Sequence, residues 1–429
     1  MVKIGFAWLV LPLVLQSVLA SENLATNELA FKSKKEILGR QEAVVGPSLT
    51  GRRVLEFESF DQVISGLMLA WNVAGGSVAV AKEGRILYAR GFGIADEQET
   101  AVMPDSMFRI ASVSKLVTAM AILKLSEEGK LDLGTPVLEV LKDKIAAEEI
   151  PDPRWKKVTI RNLLYHNAGV TEQQFWHKKQ LEIPPEKLNP EEIVRWILRK
   201  KLDFDPGSRW VYNNNNYMIL GRVIEVITGQ GYEKHVRQNL LWPMGIRNMR
   251  IGSAGKDSRH PREVQHGLGQ NLPFLEPAHL PQKEPVPAPY SFSMESIDAS
   301  GGWVASAAEI VRFASFFDGY DLPPDFISDR AWENMVLRPD FSYNSTKPEP
   351  WQGLGWMVRH SGKGFNTWHN GSLPGTASQV VRSADGFVWC WLFSGSADGG
   401  MVDPMIWLAK NMATKLPSTD LTAELFPPP

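Results

Sequence analysis

Apolar residues recur along this chain in two rhythms, and the places where one gives way to the other outline a fold. Helical spacing runs through Phe60 to Ala70, from Lys115 to Leu125 with Gly129 as a stop, through Val158 to Tyr165, Pro190 to Lys200, and Tyr217 to Val226 closing at Gly229. It returns over Ala307 to Phe317 and Pro404 to Ala413. Short apolar runs between turn residues read as strands instead. Gly76 to Gly91 holds two of them about Glu83-Gly84, and others cover Gly355 to Arg359, Phe365 to His369, Ser378 to Arg382 and Phe387 to Phe393. Strands early and late in the chain with helices between them predict an α/β (α+β) fold, one antiparallel sheet flanked by helices with an inserted, mainly helical lobe and a cleft between the lobes. The main domain is expected over 54–416, its sheet lobe from roughly 54–135 and 296–416 and its helical lobe from roughly 136–295, with 21–53 as an extension and 417–429 as a tail. Residues 254–291 carry Pro273, Pro277, Pro281, Pro285, Pro287 and Pro289 and predict a long irregular excursion.

Composition removes several function classes. A net charge of −2 over 429 residues provides no basic face, which argues against nucleic-acid partners. Lys3, the apolar stretch Ile4 to Leu15 and the small-residue site Val18-Leu19-Ala20 read as an export signal cleaved after Ala20, with an uncleaved anchor as the alternative. That stretch is short for a bilayer span, so no stable span is expected after cleavage. Cys390 is the single cysteine, so no intrachain disulfide can form. Its neighbours Trp389 and Trp391 predict a buried, inert thiol and set cysteine-nucleophile chemistry aside.

The candidate chemistry starts at Ser112-Val113-Ser114-Lys115, just where a helix is expected to begin. Residues three apart share a helix face, so the Lys115 amine can reach the Ser112 hydroxyl amid the free N–H groups of the first turn. The bland alternative makes Ser112 a helix cap and Lys115 a solvated first-turn residue. Ser253-Ala254-Gly255-Lys256 matches the same spacing in a polar stretch with no helix and is a decoy. Further polar groups cluster at Tyr212-Asn213-Asn214, before a helix, and at His369-Asn370-Gly371-Ser372, at the end of a strand where glycine would let a substrate backbone approach. Tyr165-His166-Asn167 competes with the first of these. Ser300-Gly301-Gly302 reads as a structural turn.

Taken in order, these motifs resemble the serine β-lactamase and penicillin-binding protein superfamily, in its class C and family VIII carboxylesterase branch, from about Ala74 to Met412. Arg90 to Ala95 looks like that family's opening strands, Thr159 to Gly169 like its histidine segment, Tyr212 to Gly221 like its Tyr-Asn block, and His369-Asn370-Gly371 stands in place of its K-T-G motif. The resemblance implies a β-lactamase/DD-peptidase-like fold, Ser112 as nucleophile, and Lys115 and Tyr212 as coupled proton acceptors. It further implies Asn214, His369, Gly371 and Ser372 as substrate contacts, an oxyanion hole from the N–H groups of Ser112 and Ser372, and neither cofactor nor metal. Asn213 replaces the usual Ser of the second motif, and His369 replaces the Lys that attracts a substrate carboxylate.

The expectation is an exported serine hydrolase that forms an acyl-enzyme on a small-molecule ester or amide. A D-amino-acid or D-Ala-D-Ala peptidase and a class C-type β-lactamase are the alternatives within the family. A catalytically silent cell-wall or partner-binding protein is the alternative outside it. An α/β-hydrolase is disfavoured because no G-x-S-x-G elbow occurs.

Overall fold

Strand Phe387–Phe393 explains how the central layer is built. Its even-numbered residues Val388, Cys390 and Leu392 belong to one core, and its odd-numbered residues Trp389, Trp391 and Phe393 to another. Both faces of the sheet are therefore covered, and the strand reads as an unbroken apolar run. The computed structural model describes residues 46–145, 150–171, 183–280, 284–317, 323–339, 350–397, 399–412 and 415–427. The expected export signal and most of the expected extension lie outside the described residues.

In chain order the strands are β1 (Leu49–Thr50), β2 (Gly75–Lys82), β3 (Arg85–Gly93), β4 (Phe108–Arg109), β5 (Arg250–Ile251), β6 (Phe274–Leu275), β7 (Val286–Pro287), β8 (Trp303–Ala305), β9 (Trp351–Gln352), β10 (Met357–Ser361), β11 (Gly364–Leu373), β12 (Thr376–Arg382) and β13 (Phe387–Phe393). The main sheet is antiparallel with order β1-β3-β2-β13-β12-β11-β10-β9, so early and late strands meet at the β2/β13 pair, as the two-rhythm pattern predicts. Helices Glu58–Trp71 and Gly399–Met412 cover one face, and the larger core with the helical lobe covers the other. Cys390 is buried and its thiol pushed well up by burial, in keeping with an inert group. No helix among the described residues is long and apolar enough to cross a membrane.

Three details differ from the sequence-based picture. The helix after Ser112 starts at Ser114, preceded by a 3₁₀ turn Ala111–Val113, and its N-cap is Val113 with no side-chain bond. Ser112 is thus no cap. Strand β11 runs to Leu373, so His369 to Ser372 lie within a strand rather than at its end. Ser300 belongs to a short helix, Asp298–Gly301, that leads into β8. The Pro-rich excursion is largely irregular, as expected, with one short ladder between β6 and β7.

Candidate active site

Three pieces of chain converge on Ser112. The first is its own turn. β4 pairs with β8, and the Ile110 N–H donates to the Trp303 carbonyl at 3.0 Å. Ala111 then adopts φ +49°, a left-handed conformation rare for a residue with a Cβ, and the chain enters the helix Ser114–Glu127. From Ala111 to Leu123 this segment is buried except at Ser112, which is half-buried and opens on a cleft.

The second piece is the loop before helix Asn214–Thr228. One asparagine caps, as the run of four suggested: Asn213 Oδ1 accepts the Asn215 N–H at 2.8 Å, and Asn213 Nδ2 donates to the Val170 carbonyl at 3.0 Å. The Asn in place of the family's Ser thus serves the loop's architecture. His166 supports the same loop from beneath. Its carbonyl accepts the Val211 N–H at 2.9 Å, and its Nδ1 accepts the Asn213 N–H at 3.1 Å. Its ring lies between those of Tyr212 and Tyr217, at centroid separations of 4.5 and 5.1 Å.

The third piece is β11. At Gly371 a Cβ would meet the Ile110 carbonyl oxygen and the Ser378 Oγ, each at 2.3 Å, so only glycine lets the strand lie this close to the Ser112 turn. Ser378 Oγ donates to the same Ile110 carbonyl at 2.8 Å and ties turn to sheet.

At the meeting point Lys115 Nζ lies 3.1 Å from Ser112 Oγ, 2.6 Å from Asn214 Oδ1 and 2.6 Å from the Ser300 carbonyl oxygen. Lys115 is fully buried, and burial holds its amine well below the ordinary lysine range. A neutral amine has two hydrogens and one lone pair. The Asn214 and Ser300 oxygens take the hydrogens, which leaves the lone pair for the Ser112 O–H. Tyr212 also hydrogen-bonds Ser112, and burial raises its phenol, so it rests protonated. Lys115 Nζ sits over the Tyr212 ring, 5.2 Å from its centroid.

The Ser300 carbonyl went unnoticed in the sequence, where Ser300-Gly301-Gly302 reads as a turn. It is held by Thr118 Oγ1 donating to the Ala299 carbonyl at 2.6 Å and by the buried Arg222–Asp298 ion pair at 2.7 Å. The decoys fall away: Lys256 pairs with Glu97 at 2.9 Å, and Tyr165 donates to the Leu337 carbonyl at 3.3 Å.

The cleft encloses about 770 Å³ and is lined by Ser112, Tyr212, Asn214, His369, Gly371 and Ser372 together with Trp210, Phe292, Met357 and Trp368. Every site residue singled out in the sequence except Lys115, which lies beneath Ser112, reaches this cleft. The excursion supplies Leu275 and Ser291 to its wall. Buried Arg109 anchors that excursion, donating to the carbonyls of Pro289 and, at 2.9 Å, Ser253, with Glu263 at 3.7 Å.

The Beta-lactamase family model matches residues 60–406, more than three quarters of the chain. The chain belongs to the beta-lactamase family. Its antiparallel sheet flanked by helices is the β-lactamase fold of that family. It is 26% identical over 315 residues to penicillin-binding protein 4* of Bacillus subtilis (strain 168), covering 72% of this chain and 65% of that protein. Protein flp of Staphylococcus aureus (strain N315) is 24% identical over 334 residues, covering 76% of this chain and 60% of flp. The chain thus spans about 60–65% of the length of these relatives. Among solved structures, the octameric penicillin-binding protein homologue from Pyrococcus abyssi matches with TM-score 0.65 at 22% identity, covering 86% of this chain and 79% of that one. A D-amino acid amidase from Ochrobactrum anthropi SV3, complexed with L-phenylalanine amide, matches with TM-score 0.63 at 20% identity, covering 83% and 98%.

Proposed function

We propose that the protein is an exported hydrolase of small, uncharged acyl esters or amides, with Ser112 as nucleophile. The observation that carries the reading is the bonding of Lys115, whose two hydrogens are taken by Asn214 and Ser300 so that its lone pair meets Ser112. Lys115 accepts the Ser112 proton as Oγ attacks the substrate carbonyl, and the N–H groups of Ser112 and Ser372 receive the developing oxyanion. Tyr212, a resting phenol bonded to Ser112, passes a proton to the leaving group as the acyl-enzyme forms. Water then takes the leaving group's place: the Tyr212 phenolate accepts its proton as it attacks the acyl carbon, and the Lys115 ammonium returns a proton to Ser112 Oγ as the acyl bond to the serine breaks.

A fluorophosphonate probe tests the assignment. Mass spectrometry of protein made from the full chain in a secreting host should find the label on Ser112 and a mature N-terminus at Ser21. Undiminished labelling of Ser112→Ala would refute the nucleophile, and a retained N-terminus would refute signal cleavage.

A further inference from the structure

His369 stands on the wall of the cleft, and its contacts show which of its nitrogens carries the hydrogen. Nδ1 lies 2.7 Å from the carbonyl oxygen of Asn370. A carbonyl only accepts, so Nδ1 must be the N–H donor. In a neutral ring Nε2 is then an acceptor with a free lone pair. The ring is neutral: burial, the largest cause, lowers its pKa from 6.5 to about 3. Nε2 makes no hydrogen bond among the described residues and is not sealed off, while the ring lines the cleft beside Tyr212, with centroids 6.3 Å apart.

At this point of the cleft wall the chain presents a lone pair. A substrate carboxylate there would meet two sets of acceptor electrons and no counter-charge, because no Asp, Glu, Lys or Arg lines the cleft among the described residues. An ammonium would find no carboxylate partner either. What fits is an uncharged donor.

Resting on the Ser112 hydrolase reading, we propose that His369 Nε2 selects substrates that carry a neutral hydrogen-bond donor, a hydroxyl or a carboxamide N–H, close to the scissile carbonyl. The donor's hydrogen goes to Nε2, and no other group in this part of the cleft needs to change its protonation. A matched apolar substrate would leave that lone pair desolvated and unpaired, which is the source of the discrimination.

The test compares butyrate esters that differ only at the donor. The amide arm uses glycolamide, N,N-dimethylglycolamide and glycolate esters, and the hydroxyl arm uses 2-hydroxyethyl and 2-methoxyethyl esters. In the wild-type protein kcat/KM should favour the donor-bearing member of at least one arm by about tenfold over its methylated partner, with the glycolate ester slowest. The arm that shows the preference identifies the donor. Within each variant the same ratio is read: it should fall to near one in His369→Phe, persist in His369→Gln, which keeps an acceptor, and shift toward glycolate in His369→Lys. Equal rates for donor and methylated esters in both arms of the wild type would overturn the proposal while leaving the hydrolase reading intact. A preference that survives in a folded His369→Phe would do the same. Failure to hydrolyse any ester, together with no labelling of Ser112, would overturn both.

Discussion

Lys115 is unusual among lysines because it is fully buried and its hydrogen-bond partners Ser112, Asn214 and Ser300 are uncharged. Burial holds its amine well below the ordinary lysine range, which favours the neutral form that the serine's proton needs. Substitution with arginine cannot reproduce this, since a guanidinium stays charged when buried. Lys115→Ala and Lys115→Arg should each lower kcat by about 10² to 10⁴. Tyr212→Phe should cost a comparable factor, and the Lys115→Ala/Tyr212→Phe double variant should lose little more than the worse single one, because both groups serve one proton path. Tyr165→Phe, whose hydroxyl bonds the Leu337 carbonyl and Arg161 rather than Ser112 or Lys115, should stay within a few-fold of wild type. Steady-state rates on one ester decide the set, and additive losses in the double variant would separate the two groups' roles.

At the scale of elements, the candidate site depends on a strand lying closer to a turn than side chains normally permit. β11 can pass the Ser112 turn only because residue 371 lacks a Cβ, and Ser378 on β12 holds the same Ile110 carbonyl from behind. Gly371→Ala should push β11 away from the turn, destabilise the protein by about 1–3 kcal/mol, and slow fluorophosphonate labelling of Ser112 by more than that loss of stability explains. Ser378→Ala leaves the turn and strand in place and removes one hydrogen bond, so it should cost about 1 kcal/mol with a smaller loss of labelling rate. Thermal melts set beside labelling rates separate the two effects. Equal labelling rates in Gly371→Ala and wild type would mean that the close approach has no catalytic consequence.

Across the whole molecule, neutral histidines buried around the cleft tie stability to pH. His266 donates from Nε2 to Glu263 at 3.1 Å and accepts the Thr376 hydroxyl at Nδ1, 3.0 Å away, so the neutral ring is fully bonded. Burial outweighs the adjacent carboxylate and lowers its pKa from 6.5 to about 4, and His369 is lowered to about 3. Both folded values lie below the unfolded one, so the unfolded chain binds more protons as pH falls below 6.5. The stability these groups contribute is complete above that value and is lost on the way down toward pH 4 and 3. Between pH 7.5 and 5.0 each should cost about 2 kcal/mol. Urea unfolding at the two pH values measures it, and His266→Gln should flatten the dependence by about that amount. A wild-type midpoint that does not move between pH 7.5 and 5.0 would contradict the burial of both rings in neutral form.

Local periodicity determined much of this protein. The start of the helix that brings Lys115 to Ser112 in the turn before it, the early and late strands of one antiparallel sheet, and the polar clusters at Tyr212 and His369 were all legible, because each is a pattern of side chains a few residues apart. What only the tertiary structure decided is held by contacts that no spacing along the chain reveals. The Ser300 carbonyl that takes a Lys115 hydrogen is backbone, and every residue has one. His166 earns its place by accepting the Asn213 N–H from 47 residues away. Arg109 anchors the Pro-rich wall through carbonyls 144 and 180 residues distant. The charge state of Lys115 and the tautomer of His369 follow from burial and from one neighbouring carbonyl each chain position meets only after folding. Spacing along the chain names the reactive groups; the low-dielectric enclosure that sets their protons exists only once distant segments have closed around them.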